Sequence, residues 1–175
     1  MREISGLYKY NELKAVSKIE ALYQQREAVI EKGYIYSEES INSLFVFAEI
    51  LHSELKEFDI DFYGFKDSSC KFKKVFKYKN IDFEDIIKTM REYDGLFTGY
   101  YIDITLHAAL EECLGDKEYN PNIILQRCFD EWLIACQEEA AVYLTDDYLV
   151  QKFSHNNYLF LEDGTFFSQE NNYIA

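Results

Sequence analysis

The sequence predicts an α+β fold, mainly helical, with about six helices and a small antiparallel β-sheet built from hairpins. Three observations predict it. Apolar residues recur at helical spacing over several capped stretches. The period switches to alternation within residues 58–79. An Asp163-Gly164 pair then separates two short aromatic runs. With 175 residues, 48% of them hydrophobic and 17% aromatic, the chain is long enough to bury a real core. A single domain, 1–175, is the simplest organisation. It would comprise a helical hairpin (1–57), a β-hairpin (58–79), acidic helices (80–153) and a C-terminal hairpin (154–168).

The elements follow in order. Asn11 is placed to cap a first helix whose apolar positions are Leu13, Val16, Ile19, Leu22, Tyr23, Val29 and Ile30, with Gly33 as its stop. Ser37 is placed to cap a second, with Glu38 and Glu39 where the helix dipole favours negative charge. Its wide stripe, Ile41, Leu44, Phe45, Phe47, Ala48, Leu51 and Leu55, predicts a helix central to the core. Residues 58–65 alternate and predict a strand. Lys71–Lys79 predicts a second, with Lys71, Lys73, Lys77 and Lys79 on one face and Asp59 and Asp61 available to pair with them.

Asp82 is placed to cap a third helix over 83–93, with Ile81 and Ile86 as a hydrophobic staple. A fourth helix is expected from about Tyr100 to Gly115. Asn120-Pro121 then opens a long helix, because proline at the first helical position gives up an N–H that has no intrahelical partner. Leu125, Phe129, Trp132, Cys136, Ala140 and Tyr143 form its apolar stripe. Thr145 recaps the chain, Asp146 and Asp147 fill the new first turn, and Leu149, Val150 and Phe153 supply its packing face. Asp163-Gly164 suits a two-residue type I′ turn, which would set Phe160 opposite Phe167 and Leu161 opposite Phe166.

Charge is distributed unevenly. The net formal charge is -14. Residues 1–79 carry 13 Lys/Arg and 13 Asp/Glu, whereas residues 80–175 carry 5 and 19. The acidic half argues against nucleic acid as its ligand, because phosphate contacts need Lys and Arg. It suits a basic protein partner, which a field of opposite sign would steer and orient. The acids expected to form that surface are Asp130, Glu131, Glu138, Asp146, Asp147, Glu162 and Asp163.

Catalytic patterns are sparse. Asp103, His107 and Glu111 fall at i, i+4, i+8 on one helix, where a carboxylate beside a histidine could serve a base or a metal-assisted hydrolase or nuclease. The plainer account is a surface ladder of His and carboxylates. Lys71–Lys79 interleaves lysines with aromatics, a pattern that holds single-stranded nucleic acid, although lysines also guard edge strands against aggregation. Cys70, Cys113, Cys128 and Cys136 show no CxxC spacing, so reduced buried thiols are expected, with no metal and no cofactor. The N-terminus lacks an apolar signal core and no apolar run is long enough to span a bilayer, which predicts a cytoplasmic protein without membrane association.

The C-terminal run TDDYLVQKFSHNNYLFLEDGTFF resembles the ending of small acidic accessory proteins of phages and other mobile elements, in which an acid-capped short helix leads into an Asn-x-Tyr-x-Phe-x-x-Asp-Gly hairpin. The matching residues are Asn156 or Asn157, Tyr158, Phe160, Asp163 and Gly164. The resemblance covers about a seventh of the chain and implies a bacterial or phage setting, not a mechanism. Together these features lead to the expectation of a non-enzymatic inhibitor or immunity-type protein. It would bind and block a basic, nucleic-acid-acting bacterial protein, such as a toxin, nuclease or defence effector, in immunity or counter-defence. Its acids would imitate nucleic acid.

Overall fold

The computed structural model describes residues 6–51, 53–74, 102–116 and 120–167. The fold is α+β and mainly helical. The α-helices are α1 (Ala15–Lys32), α2 (Ser37–Ile50), α3 (Ile102–Gly115), α4 (Pro121–Val142) and α5 (Asp146–His155). Strands β1 (Ser53–Asp59) and β2 (Ser69–Lys74) form one antiparallel pair, and β3 (Leu159–Phe160) and β4 (Phe166–Phe167) another. Five α-helices, rather than about six, are therefore present among the described residues. The expected helix over 83–93 lies outside them, as do residues 75–79 of the lysine run and the C-terminal tail. The chain divides into two compact units: Met1–Gly33 with Ala141–Ala175, and Tyr34–Ala140.

In the first unit, a 3-10 turn, Tyr10–Glu12, precedes α1, and the Lys9 N–H donates to the Glu12 carboxylate at 2.6 Å. Helix α1 therefore starts later than expected, with Lys14 rather than Asn11 at its N-cap. Its buried face also differs from the expected stripe. Ser17, Ala21 and Leu22 are buried, whereas Val16, Ile19 and Tyr23 are exposed. The reason is steric. The tip of the β3–β4 hairpin sits on α1, the Ser17 hydroxyl donates to the Glu162 carbonyl at 2.7 Å, and only small side chains permit that approach. The core of the unit joins Leu13, Ala21 and Leu22 to Leu149, Phe153 and Phe160.

Thr145 caps α5 as expected, accepting from the Tyr148 N–H at 3.3 Å. The helix ends in a Schellman turn. The Tyr158 N–H donates to the Phe153 carbonyl at 2.9 Å and the Asn157 N–H to the Ser154 carbonyl at 3.3 Å, with Asn157 in the left-handed region at φ 53°. The Phe153 and Tyr158 rings complete it as the apolar contact.

The hairpin that follows departs from the expected register. Phe160 pairs with Phe166 and Leu159 with Phe167. Gly164 alone in the turn has positive φ, so the connection is not type I′, which needs positive φ at both central residues. Asp163 instead accepts the Thr165 N–H on its own side chain at 2.9 Å, and Gly164 takes the left-handed position of a three-residue loop. Phe160 has a second partner on its other edge, exchanging two backbone hydrogen bonds with Tyr8, each 2.9 Å.

In the second unit, Tyr36 precedes α2 as its N-cap without a side-chain hydrogen bond, so Ser37 is the first helical residue and not the cap. Helix α2 buries Ser40, Ser43, Leu44, Phe47 and Ala48, and Leu51 beyond its end is buried too. Leu55, expected on this helix, lies in β1. Strand β1 begins five residues earlier than the alternation at 58–65 suggests. Past Asp59 the chain turns, and the Asp61 carboxylate collects the N–H groups of Tyr63 (2.9 Å) and Lys66 (2.7 Å). Asp61 is thus a turn-former and not a cross-strand partner of lysine, and Asp59 lies opposite Ser69. Glu57, which the alternation did not single out, pairs with Lys71. The register slips at Lys56, a bulge that strict alternation hides.

Helices α3 and α4 match their expected bounds closely. Asn120 accepts the Asn122 N–H at 3.1 Å and Pro121 opens α4. Leu125, Phe129, Trp132, Cys136 and Ala140 are buried, joined by Ile124 and Cys128, and Tyr143 beyond the helix is half-buried. Trp132 stacks on Phe129 and meets Phe62 edge-on, and Phe62 in turn packs on Tyr34.

Candidate functional site

The expected acids are carried by both units. Helix α4, in the second, carries Asp130, Glu131 and Glu138, all exposed. Its opposite face is pinned by the fully buried Trp132, Cys128 and Cys136, so these carboxylates stand on a rigid element. Glu131 and Glu138 are seven residues apart, two turns along the same face, about 11 Å of rise. Ile134 lies between them on that face and is 49% exposed. An exposed apolar side chain flanked by carboxylates is suited to a partner that presents both positive charge and apolar surface. The only cation in residues 120–142 is Arg127. It is engaged by Asp116 at 3.1 Å and Glu112 at 3.6 Å, both at the end of α3.

Asp130 points a different way. It accepts from the Gln126 side chain at 2.8 Å and lies close enough to Cys70 of β2 for its charge to act on that thiol. Desolvation, first, and Asp130, second, push Cys70 up to about 12. The Asp61 carbonyl accepts from Gln137 of α4 at 2.9 Å, which holds the turn after β1 against the same helix.

The first unit carries Asp146, Asp147, Glu162 and Asp163, also exposed. Three of the four have work within the fold. Asp146 pairs with Arg26, whose Nε also donates to the Leu144 carbonyl at 2.9 Å. Glu162 accepts from Lys14 at 2.7 Å, and that hydrogen bond holds its carboxyl below the usual range. The Thr165 N–H does the same for Asp163. Asp147 remains exposed in the first turn of α5. These acids thus combine a structural task with display, a division that charge counting does not reveal. A surface pocket of about 280 Å³ in the same unit is lined by Lys9, Tyr10, Phe153, Ser154 and Tyr158 among others, and none of the seven acids lines it.

On α3, His107 is half-buried and Glu111 exposed, and the Asp103 side chain lies outside the described residues. Among the described residues, no three His, Cys, Asp or Glu side chains converge to hold a metal ion. In the lysine run, Lys71 is paired with Glu57. Cys113, Cys128 and Cys136 are buried free thiols, as expected, and Cys70 is a half-buried one. Burial pushes all four up in pKa, with the Cys136 thiol, beside the Ser40 hydroxyl, at about 12. Among the described residues no helix is long and apolar enough to cross a membrane.

Two surface features escaped the periodicity. The outer face of α1 exposes Val16, Ile19 and Tyr23, which helical spacing had assigned to the core. Ile123 and Ile134 are exposed on α4. The signal for the first was the pair of small residues, Ser17 and Ala21, on the opposite side of α1. The sequence matches no family model, and comparison with curated proteins and with solved structures gave no match.

Proposed function

We propose that this protein is a non-enzymatic, acidic inhibitor of the immunity or counter-defence type, which binds and blocks a basic, nucleic-acid-acting protein in the cytoplasm of a bacterium. The observation that carries the proposal is the line Glu131–Ile134–Glu138 on α4, exposed on a helix whose other face is fixed in the core. The charge distribution supports it: residues 80–175 contribute 19 acidic and only 5 basic side chains. A rigid display loses little entropy on association, and its field speeds the encounter with a positive surface. Blocking follows if the carboxylates occupy the place of phosphates on the partner. The resemblance of the C-terminal run to phage accessory proteins agrees with the setting.

The test is affinity capture from the native host at low ionic strength, followed by elution with salt. A basic protein released in stoichiometric amount, whose action on nucleic acid is inhibited by this protein, is the expected result. Recovery of no basic partner under those conditions would sink the proposal.

A further inference from the structure

We propose that the outer face of α1 is a separate contact site and that it receives an amphipathic, positively charged helix of a partner protein. Val16, Ile19 and Tyr23 follow the i, i+3, i+7 spacing of a helical contact stripe and are 79%, 69% and 56% exposed. They lie roughly 150° round the helix from Ala21, which is buried under the hairpin. Three large apolar side chains on one face of an 18-residue helix form a contiguous patch of the kind that marks an interaction site.

Charge selects the occupant. Glu20, Glu27 and Glu31 flank one side of the stripe and are exposed. Lys14, Lys18 and Lys32 are turned away from it, and Arg26, seven residues after Ile19 on the other border of the stripe, is neutralised. Lys14 binds Glu162, Lys18 lies 5.8 Å over the Tyr10 ring, Arg26 is engaged by Asp146 and the Leu144 carbonyl, and Lys32 lies near Lys152. The face is therefore apolar, with glutamates along one border and Arg26, neutralised by Asp146, on the other. A second copy of this chain would bring the same glutamates and a net charge of -14 against it. A helix with leucine-like residues on one side and lysine or arginine beside them satisfies both features. The inference rests on the proposed function in one respect, the partner's positive charge, but it names a different surface.

The probe is a fluorescently labelled Leu/Lys amphipathic peptide of about 20 residues, compared with a scrambled peptide of the same composition. Binding to the full chain is read by anisotropy. The amphipathic peptide should bind about tenfold tighter than the scrambled one. The Ile19→Ser/Tyr23→Ser variant should abolish that difference. Glu20→Gln/Glu27→Gln should weaken binding at low salt and have no effect at high salt. Both variants alter exposed side chains, and far-UV circular dichroism should show an unchanged fold. Equal binding of the two peptides, no binding, or unchanged binding by the Ile19→Ser/Tyr23→Ser variant would overturn the proposal. Loss of peptide binding on Glu131→Lys/Glu138→Lys alone would overturn this site while supporting the one on α4. A dimer in sedimentation that Ile19→Ser dissolves would assign the face to a second copy and also overturn it.

Discussion

Gly164 and Ser17 approach so closely that a Cβ built on Gly164 would lie 2.2 Å from the Ser17 carbonyl oxygen. The Ala21 backbone nitrogen would be only 3.2 Å away. Both neighbours are main-chain atoms of α1 and cannot swing aside. Gly164 also has φ +98°, a region that side chains disfavour. Gly164→Ala should therefore destabilise the protein by about 3 kcal/mol, from backbone strain and overpacking together. Gly33→Ala separates the two causes. Gly33 has φ +79° but nothing within 4 Å of its would-be Cβ, so strain acts alone. Urea unfolding should show the smaller midpoint shift for Gly33→Ala. A smaller shift for Gly164→Ala than for Gly33→Ala would mean that the Ser17 and Ala21 backbone gives way to the added methyl group.

Asn157 offers the opposite manipulation. It holds φ 53° at the Schellman turn that ends α5, and asparagine is the second-best residue there. Asn157→Gly relieves the left-handed strain while leaving both backbone hydrogen bonds in place. A gain of about 0.5 kcal/mol is expected, reduced by the extra freedom glycine brings to the unfolded chain. Asn157→Val should cost about 1–2 kcal/mol, because a β-branched residue resists that conformation. Thermal and urea unfolding of the pair would show the ordering Gly, Asn, Val.

The parts of the fold legible in the sequence were those set by local chemistry. Asn120-Pro121, Thr145 and Gly115 mark helix ends through groups within a few residues, and each acts where the local pattern put it. The α4 stripe was legible because bulky apolar residues leave it one possible inner face. What was not legible depended on distant partners. Ser17 and Ala21 are buried because a hairpin almost 150 positions later rests on them, and a serine and an alanine are outweighed in the pattern by the bulkier Val16, Ile19 and Tyr23. The β3–β4 register was missed because Asp163 bonds its own turn and does not take positive φ. Among the candidate acids, exposure could be anticipated from the α4 pattern. The engagement of Asp146 by Arg26 and of Glu162 by Lys14 could not, since each pair joins segments more than a hundred residues apart.

Cys70 reports on the surroundings of Asp130. Its thiol is raised to about 12, chiefly by desolvation and secondarily by the Asp130 charge. An ordinary thiol near pKa 8.5 approaches its full alkylation rate by about pH 9.5. Here the folded-state rate should keep rising through that range, since little thiolate exists below about 12. Asp130→Asn removes the smaller cause. It should speed iodoacetamide labelling of Cys70 at pH 8.5 by a few-fold, without reaching the rate of the unfolded chain. Mass spectrometry of the labelled peptide identifies the site. An unchanged rate would mean that the Asp130 carboxylate does not act on β2.

The acids of α4 and those of α5 should respond differently to charge reversal, and that difference tests what each set does. Glu131 and Glu138 are exposed, and lysine has a helix propensity close to that of glutamate. Glu131→Lys/Glu138→Lys should leave stability within about 0.5 kcal/mol of the parent. Asp146 is engaged by Arg26, so Asp146→Lys places two cations together at the start of α5 and opposes the helix dipole. A loss of about 1 kcal/mol is expected there, small because the pair is largely solvated. Binding to the captured basic partner should show the reverse ranking. The α4 double variant should slow association about tenfold at low salt, an effect that shrinks as added salt screens the charges. Dissociation should change less, because solvated rim charges act mainly on encounter. Stopped-flow association rates across ionic strengths, beside urea unfolding of the same proteins, measure both rankings. An α4 variant that associates at the parent's rate at every ionic strength would remove Glu131 and Glu138 from the contact.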